Sequence, residues 1–400
     1  MTEQKRLLVL SPRFLFPLDQ GGRIRTANTL RHMKGGAFHI TLLSPAPADA
    51  ARWSAETAAI CDRFVSWPEP AMSTPRKVLA LAGPLPVAVA SDVSAAGRAA
   101  VDAALAERPD AILVDFPHAG ILLPPRLDVP AILFTHNVEA EIFARHAEIA
   151  SGPKRLVWRA QARKMARFEG DVLRRCQKVI AVSERDARAL EAQYALHDVA
   201  PIETGVDTDF YAYHPPPPAP PGAGTVVFTG SMDSRSNIDG IEFLMDEVWP
   251  LVLQRRPGAR AVIAGRNPPD RLVQAAKSRG YDWRFTGFVD DVRPSVADAN
   301  VYAIPLRVGS GTRIKVFEAM AMGCPVVSTR LGAEGLDVTD GEHFLAADTA
   351  AHFAAALLRP MADPALQERL SAAARELVTT RFGWPVVTKR FEEICLSAIP

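Results

Sequence analysis

The chain has 400 residues, 48% of them hydrophobic and 23% charged, with a formal net charge of +1. That length exceeds the usual reach of a single hydrophobic core, so two domains are expected. Charge this close to balance supplies no global attraction for nucleic acid, and any basic patch must be local.

The N-terminus, MTEQKRLLVLSPRF, holds a short apolar run flanked by charges and broken by Pro12. It lacks the length and the small-residue cleavage site of a signal peptide. The longest weakly polar stretch, Val78–Ala90, contains Gly83, Pro84 and Pro86 and is too short to span a bilayer. Cys61, Cys176, Cys324 and Cys395 are scattered without a C-x-x-C pair, which points to a reducing compartment and argues against a zinc ribbon. The expected location is cytoplasmic.

Strands are predicted at Leu7–Ser11, His39–Ser44, Arg63–Trp67, Ala111–Phe116, Ala131–Thr135 and Lys178–Val182. Several are apolar throughout, as strands covered by helices on both faces must be. Between them, Arg23–Met33 and Ala95–Ala106 are long enough for crossover helices. Residues 1–205 therefore read as a doubly wound α/β domain. Residues 206–224, ending in HPPPPAPPGAG, are expected to form a stiff, extended connector. The alternation then restarts over residues 225–383, with strands at Thr225–Thr229, Ala259–Ala264, Trp283–Gly287, Val301–Pro305 and Pro325–Thr329 and helical patterns at Asn237–Arg255 and Ile314–Met322. The last helix, residues 384–400, follows Trp384-Pro385 and is expected to cross back to the first domain. Two such sheets bind ligands beyond the carboxyl ends of their strands, so both domains are expected to face a shared cleft.

The stretch Ile304–Thr329, IPLRVGSGTRIKVFEAMAMGCPVVST, is the most informative. A buried strand leads into a loop with Gly309, Ser310, Gly311 and Thr312, and a helix opens near Arg313 or Ile314. A glycine loop feeding a helix N-terminus leaves free N–H groups at a positive dipole end, which suits a diphosphate. Arg313 and Lys315 add full positive charges, and Glu318, one turn in, is placed to accept hydrogen bonds from ribose hydroxyls. The bland alternative is a strand, loop and helix whose charged residues form a solvated face.

KVFEAMAMGCPVVST resembles the nucleotide-sugar signature of glycosyltransferase family 4 and its relatives of GT-B architecture. PLDQGGRIRTANTL, THNVEAE, ETGVDTDFY, FTGSMDSRSNIDGIEFL, VIAGRNPP and TGFVDDV agree with that family in order along the whole chain. The resemblance implies two facing Rossmann-like domains and a retaining, nucleotide-sugar-dependent glycosyltransferase of cell-envelope glycan or glycolipid assembly. It implies that Glu318 holds the donor ribose, that Arg313 and Lys315 neutralise the diphosphate with Ser310, Gly311 and Thr312, and that Gly287, Phe288 and Val289 meet the base through their backbone. Gly230 falls in the matching donor-side loop. Gly21 and Gly22 match the glycine loop after the first strand, and His136 matches a strand-end histidine close to the transferred sugar, with Asn137 and Glu139 beside it. The chain departs from the family at Ser310, where the first of two motif glutamates is usual, and at Thr204, where asparagine is usual.

In that reading the leaving phosphate takes the acceptor proton, so no enzymic nucleophile, cofactor or metal is expected. The partners implied are a nucleotide-sugar donor and a glycan or lipid-linked acceptor, with no nucleic acid. Asp207-Thr208-Asp209 spells a metal-binding D-x-D, but Asp and Thr at such a site more commonly make a turn or cap. Arg155, Arg159, Arg163 and Arg167 form a basic stripe at i,i+4 spacing, which reads as a solvated face or as a contact with an anionic membrane near a lipid-linked acceptor. A nucleotide-sugar 2-epimerase and a non-catalytic binding protein of the same fold are the alternatives, the latter resting on Ser310.

Overall fold

The structure, a computed structural model, describes residues 4–308 and 314–400. Its contacts divide the chain into two units, Met1–Glu203 with Trp384–Pro400, and Thr204–Gly383.

The first unit is built on a parallel sheet of β1 (Lys5–Leu10), β2 (Phe38–Ala46), β3 (Arg63–Pro68), β4 (Ala111–Asp115), β5 (Ala131–Thr135), β6 (Lys178–Ala181) and the two-residue β7 (Ala200–Pro201). Their order is β3-β2-β1-β4-β5-β6-β7, so the winding reverses between β1 and β4. Period-two alternation sends Leu7 and Val9 into one core and Leu8 and Leu10 into the other. Both cores are apolar and buried, which is why these strands read as continuous apolar runs. Four helices matter below: α1 (Gly21–Met33), α2 (Thr74–Ala80), α3 (Glu139–Ile149) and α4 (Gly152–Leu173). The C-terminal helix, Trp384–Ser397, packs on α1 and buries Trp384, Val387, Phe391 and Cys395, a spacing of one helix face. Phe391 meets Phe134 of β5 edge to face at 4.9 Å.

The second unit repeats the plan. Its parallel strands are β8 (Ala223–Thr229), β9 (Gly258–Ala264), β10 (Trp283–Gly287), β11 (Val301–Ile304), β12 (Val326–Ser328) and β13 (Leu345–Ala346), in the order β10-β9-β8-β11-β12-β13. The winding reverses between β8 and β11, and α5 (Ile314–Ala321) links β11 to β12.

Two expectations change. Asn237–Arg255 is not one helix but Arg235–Phe243, a π turn at Leu244–Val248, and Trp249–Arg255. Pro250 has no N–H to continue the ladder, and its ring would collide with the carbonyl four residues back. The proline-rich stretch, expected as a stiff, extended connector, lies along the second unit. The Pro217 carbonyl accepts from Asn300 Nδ2 at 2.7 Å and from Gln367 Nε2 at 3.2 Å, because proline loses a donor and keeps its acceptor. Gly21 and Gly22 are the first residues of α1 rather than a loop.

Candidate functional site

In the second unit, β8 ends at Thr229 and the chain turns at Gly230, at the edge where the sheet winding reverses. That turn approaches the end of β9 closely: a Cβ on Gly265 would lie 1.9 Å from the Gly230 carbonyl oxygen. Backbone replaces side chain there, and a cavity of ≈ 600 Å³ opens beside it. Gly230, Phe288, Val289, Lys315 and Glu318 all line this cavity, as do Tyr211 and Asn237. Gly287 precedes Phe288 at a φ of +71°, a backbone suited to glycine, and pairs with Gly265 in an isolated bridge. Ser310, Gly311, Thr312 and Arg313 lie outside the described residues.

Lys315 sits in the first turn of α5. Its Nζ donates to Asn237 Oδ1 at 3.1 Å and to the Thr229 carbonyl at 3.3 Å, and lies 4.3 Å from the Phe228 ring centroid. The ammonium is thus held at the cavity wall. Glu318 lies one turn on, where its Oε1 accepts from the Tyr211 hydroxyl at 3.0 Å. Burial raises its carboxyl pKa above the usual range, against the pull of Tyr211 and Lys315. A carboxylate kept costly in this way gains from any further donor that reaches it. Phe288 is 71% exposed, an apolar ring without a covering neighbour at the cavity rim.

In the first unit the strand-end histidine is enclosed. His136 stands just past β5 with its side chain only 2% exposed. Its Nδ1 lies 2.8 Å from an Arg25 guanidinium nitrogen, and its Nε2 lies 2.8 Å from Asp115 Oδ1 at the end of β4. Arginine only donates, so Nδ1 accepts and the proton sits on Nε2, giving the neutral ring. Burial, then the Arg25 charge, hold the imidazole pKa below its ordinary value, although Asp115 pulls the other way. Asp115 also accepts from Thr26 Oγ1 and Ser11 Oγ, each at 2.8 Å. The Phe116 and Phe134 rings pack on the imidazole with centroids at 4.2 and 4.3 Å. Phe116 takes a φ of +67°, a strained backbone for so large a residue, and its ring closes over Gly22. Both ring nitrogens are engaged within the protein, and the ring ties β1, β4, β5 and α1 together.

Asn137 and Glu139 follow at the start of α3. The Glu139 and Ala140 N–H groups donate to Glu169 of α4 at 2.8 and 3.1 Å, so a fully buried carboxylate satisfies the helix N-terminus. Glu139 itself lies 3.8 Å from His118 Nε2, and His118 Nδ1 lies 3.2 Å from Asp92, which also binds Arg13. Sequence reasoning missed this second polar cluster at the strand ends, as it missed Tyr211, Arg25, Thr26 and Asp115. Asp207 accepts from the N–H groups of Asp209 and Phe210, at 3.1 and 2.8 Å, which is the turn its composition suggested.

Residues 21–210 match the family described as Glycosyltransferase Family 4, and residues 223–363 match Glycosyl transferases group 1. The phosphatidyl-myo-inositol mannosyltransferase of Mycobacterium tuberculosis (strain H37Rv) is 31% identical over 279 residues, covering 66% of this chain and 72% of its own. That of Mycobacterium leprae is 30% identical over 275 residues with the same coverage. Among solved structures, sucrose-phosphate synthase from Thermosynechococcus elongatus superposes with a TM-score of 0.68 at 17% identity, covering 99% of both chains. Anabaena Alr3699/HepE in complex with UDP superposes with a TM-score of 0.67 at 15% identity, over 99% of this chain and 100% of that one.

Proposed function

The chain belongs to glycosyltransferase family 4, and from that premise we propose that the cavity beside Gly230 binds the nucleoside diphosphate of a sugar donor. The observation that carries the reading is the pairing of a held ammonium at Lys315 with an underserved carboxylate at Glu318, one helical turn apart on one cavity wall. Lys315 neutralises the diphosphate, with Arg313, Ser310, Gly311 and Thr312, which precede α5 in the sequence, contributing as the family resemblance implies. Glu318 has its second oxygen left for the ribose hydroxyls. Gly287, Phe288 and Val289 meet the base at the rim.

The transfer proceeds with retention. The bond from the anomeric carbon to the diphosphate oxygen breaks, and the acceptor oxygen bonds to that carbon on the same face. The acceptor proton passes to the departing phosphate. Lys315 stabilises the charge that develops there, which is where a preorganised donor lowers the barrier most. The reading needs no metal ion, because protein cations face the phosphates. His136 acts as a positioning residue, holding Ser11, Thr26 and Asp115 in register so that Gly21 and Gly22 open α1 at the strand ends.

The mannosyltransferase relatives act on phosphatidyl-myo-inositol, which favours a lipid-borne hydroxyl as acceptor here and glycolipid or envelope glycan assembly as the setting. Such an acceptor would draw the enzyme to the inner face of a membrane, where the Arg155–Arg167 stripe is the basic surface that meets it.

Calorimetric titration of UDP, GDP and ADP tests the donor site. One nucleotide binds the wild type, and Glu318→Ala weakens it at least about tenfold, the loss of one charge-assisted hydrogen bond. No binding of any of the three by a folded protein would overturn the assignment.

A further inference from the structure

Strands β9 and β10 deliver two side chains to the rim of the cavity beside Gly230. Gly265, just past β9, bridges to Gly287, the last residue of β10. Arg266 and Phe288 come next after these glycines, and both line the cavity. The root of Arg266 is fixed by backbone, since its carbonyl accepts from Met232 N at 3.0 Å. The Phe288 ring is open to solvent, and stacking on an aromatic ring serves every base alike. It adds affinity without choosing a nucleotide. Choice requires polar groups at the edge of the base.

Arg266 is held so that it can supply them. Its Nε donates to Asp233 Oδ2 at 2.8 Å and to Ser231 Oγ at 3.2 Å. Asp233 is fixed in turn: Asn267 Nδ2 donates to its other oxygen at 2.9 Å, and Ser231 Oγ donates to Oδ2 at 2.9 Å. Asn267 takes a φ of +55°, a left-handed backbone that asparagine tolerates. Among the described residues, neither terminal nitrogen of Arg266 has a hydrogen-bond partner. Arg293 shows the ordinary surface pairing by contrast, with both Nε and Nη2 donating to Asp291. Arg266 is instead anchored through Nε alone, and its outer pair of donors is left over.

We propose that the terminal nitrogens of Arg266 read the edge of the donor's base and make this site selective for a guanine nucleotide. Guanine presents N7 and O6 as adjacent acceptors, which match two parallel N–H donors. Adenine sets an amino donor beside N7, opposing the fork, and a uracil carbonyl is a single acceptor without a second beside it. The inference rests on the donor-site reading and names the nucleotide that reading leaves open. A second cation for the diphosphate is the competing role for Arg266, and the two roles predict different losses.

Calorimetric titration of GDP, IDP, 7-deaza-GDP, UDP and ADP into wild type, Arg266→Ala and Arg266→Lys tests it. Wild type binds GDP and IDP alike, since both carry N7 and O6, and binds them about tenfold more tightly than UDP or ADP. Removing N7, in 7-deaza-GDP, weakens wild-type binding about fivefold and leaves binding to Arg266→Ala unchanged. Arg266→Ala loses about tenfold for GDP and keeps UDP within about twofold, and Arg266→Lys, without a planar fork, does not restore the selectivity. The side chain is 60% exposed, so both variants keep wild-type melting. Wild-type binding of UDP or ADP as tight as GDP, or an equal loss for all nucleotides in Arg266→Ala, would overturn the base assignment and leave the donor site standing. No binding of any nucleotide by folded wild type would overturn the donor site itself, and this inference with it.

Discussion

Replacing His136 separates a positioning histidine from one that touches substrate. The ring makes two hydrogen bonds to charged partners, Arg25 and Asp115, each contributing about 1.5–3 kcal/mol. His136→Ala removes both and leaves a cavity between the Phe116 and Phe134 rings. Asp115 keeps its bonds from Ser11 and Thr26, so part of the network survives. The net loss is about 3–5 kcal/mol, or roughly 10 °C in melting temperature for a unit of this size. The wild type should also carry a pH signature. Burial keeps the folded-state imidazole pKa below its unfolded value, so the unfolded chain binds the extra proton. Stability is then full above the unfolded value of about 6.5 and falls as pH drops toward the lowered folded value, by up to about 1.4 kcal/mol per pH unit. Melting curves of wild type and His136→Ala at several pH values measure both effects. Wild type should lose stability on acidification more steeply than the variant. Parallel losses would refute the neutral buried ring. An unchanged melting temperature with abolished transfer would refute the positioning role.

Glu318→Gln should move binding and stability in opposite directions. The carboxyl pKa is raised by burial, so its stabilising contribution is present below about pH 4.3 and lost as pH rises through the folded value. At neutral pH the amide is therefore expected to melt higher while binding nucleotide about 10–100-fold more weakly, and a lower melting temperature would contradict it. Lys315→Ala should weaken nucleotide diphosphate binding about 10–100-fold at low salt and flatten its salt dependence, both read by calorimetry. An unchanged salt slope would remove Lys315 from the phosphate. Gly22→Ala should cost about 1–3 kcal/mol, since its Cβ would lie 2.7 Å from Phe116 Cζ in a ring already packed on His136, and thermal melting reads the loss directly.

The sequence by itself carried the α/β alternation, the restart after the prolines and several residues that line one cavity of the second unit. Lys315 and Glu318 were readable because they lie three residues apart on one helix, and helical spacing dictates their common face. Gly230, Phe288 and Val289 came from the family resemblance, and the fold gathers them on the same cavity because each follows a strand end. The tertiary structure alone decided which polar groups are enclosed. Tyr211 reaches Glu318 across 107 residues of chain, and Arg25 reaches His136 across 111. Neither pairing has a period or a spacing to announce it. The same holds for Val78 and Leu79: their apolar character was plain, but whether a helix covers its apolar face depends on what folds against it, and here nothing among the described residues buries α2. Patterning reports what a segment prefers locally, whereas burial is set by contacts between segments distant in sequence, and it is burial that lowers the pKa of His136 and raises that of Glu318.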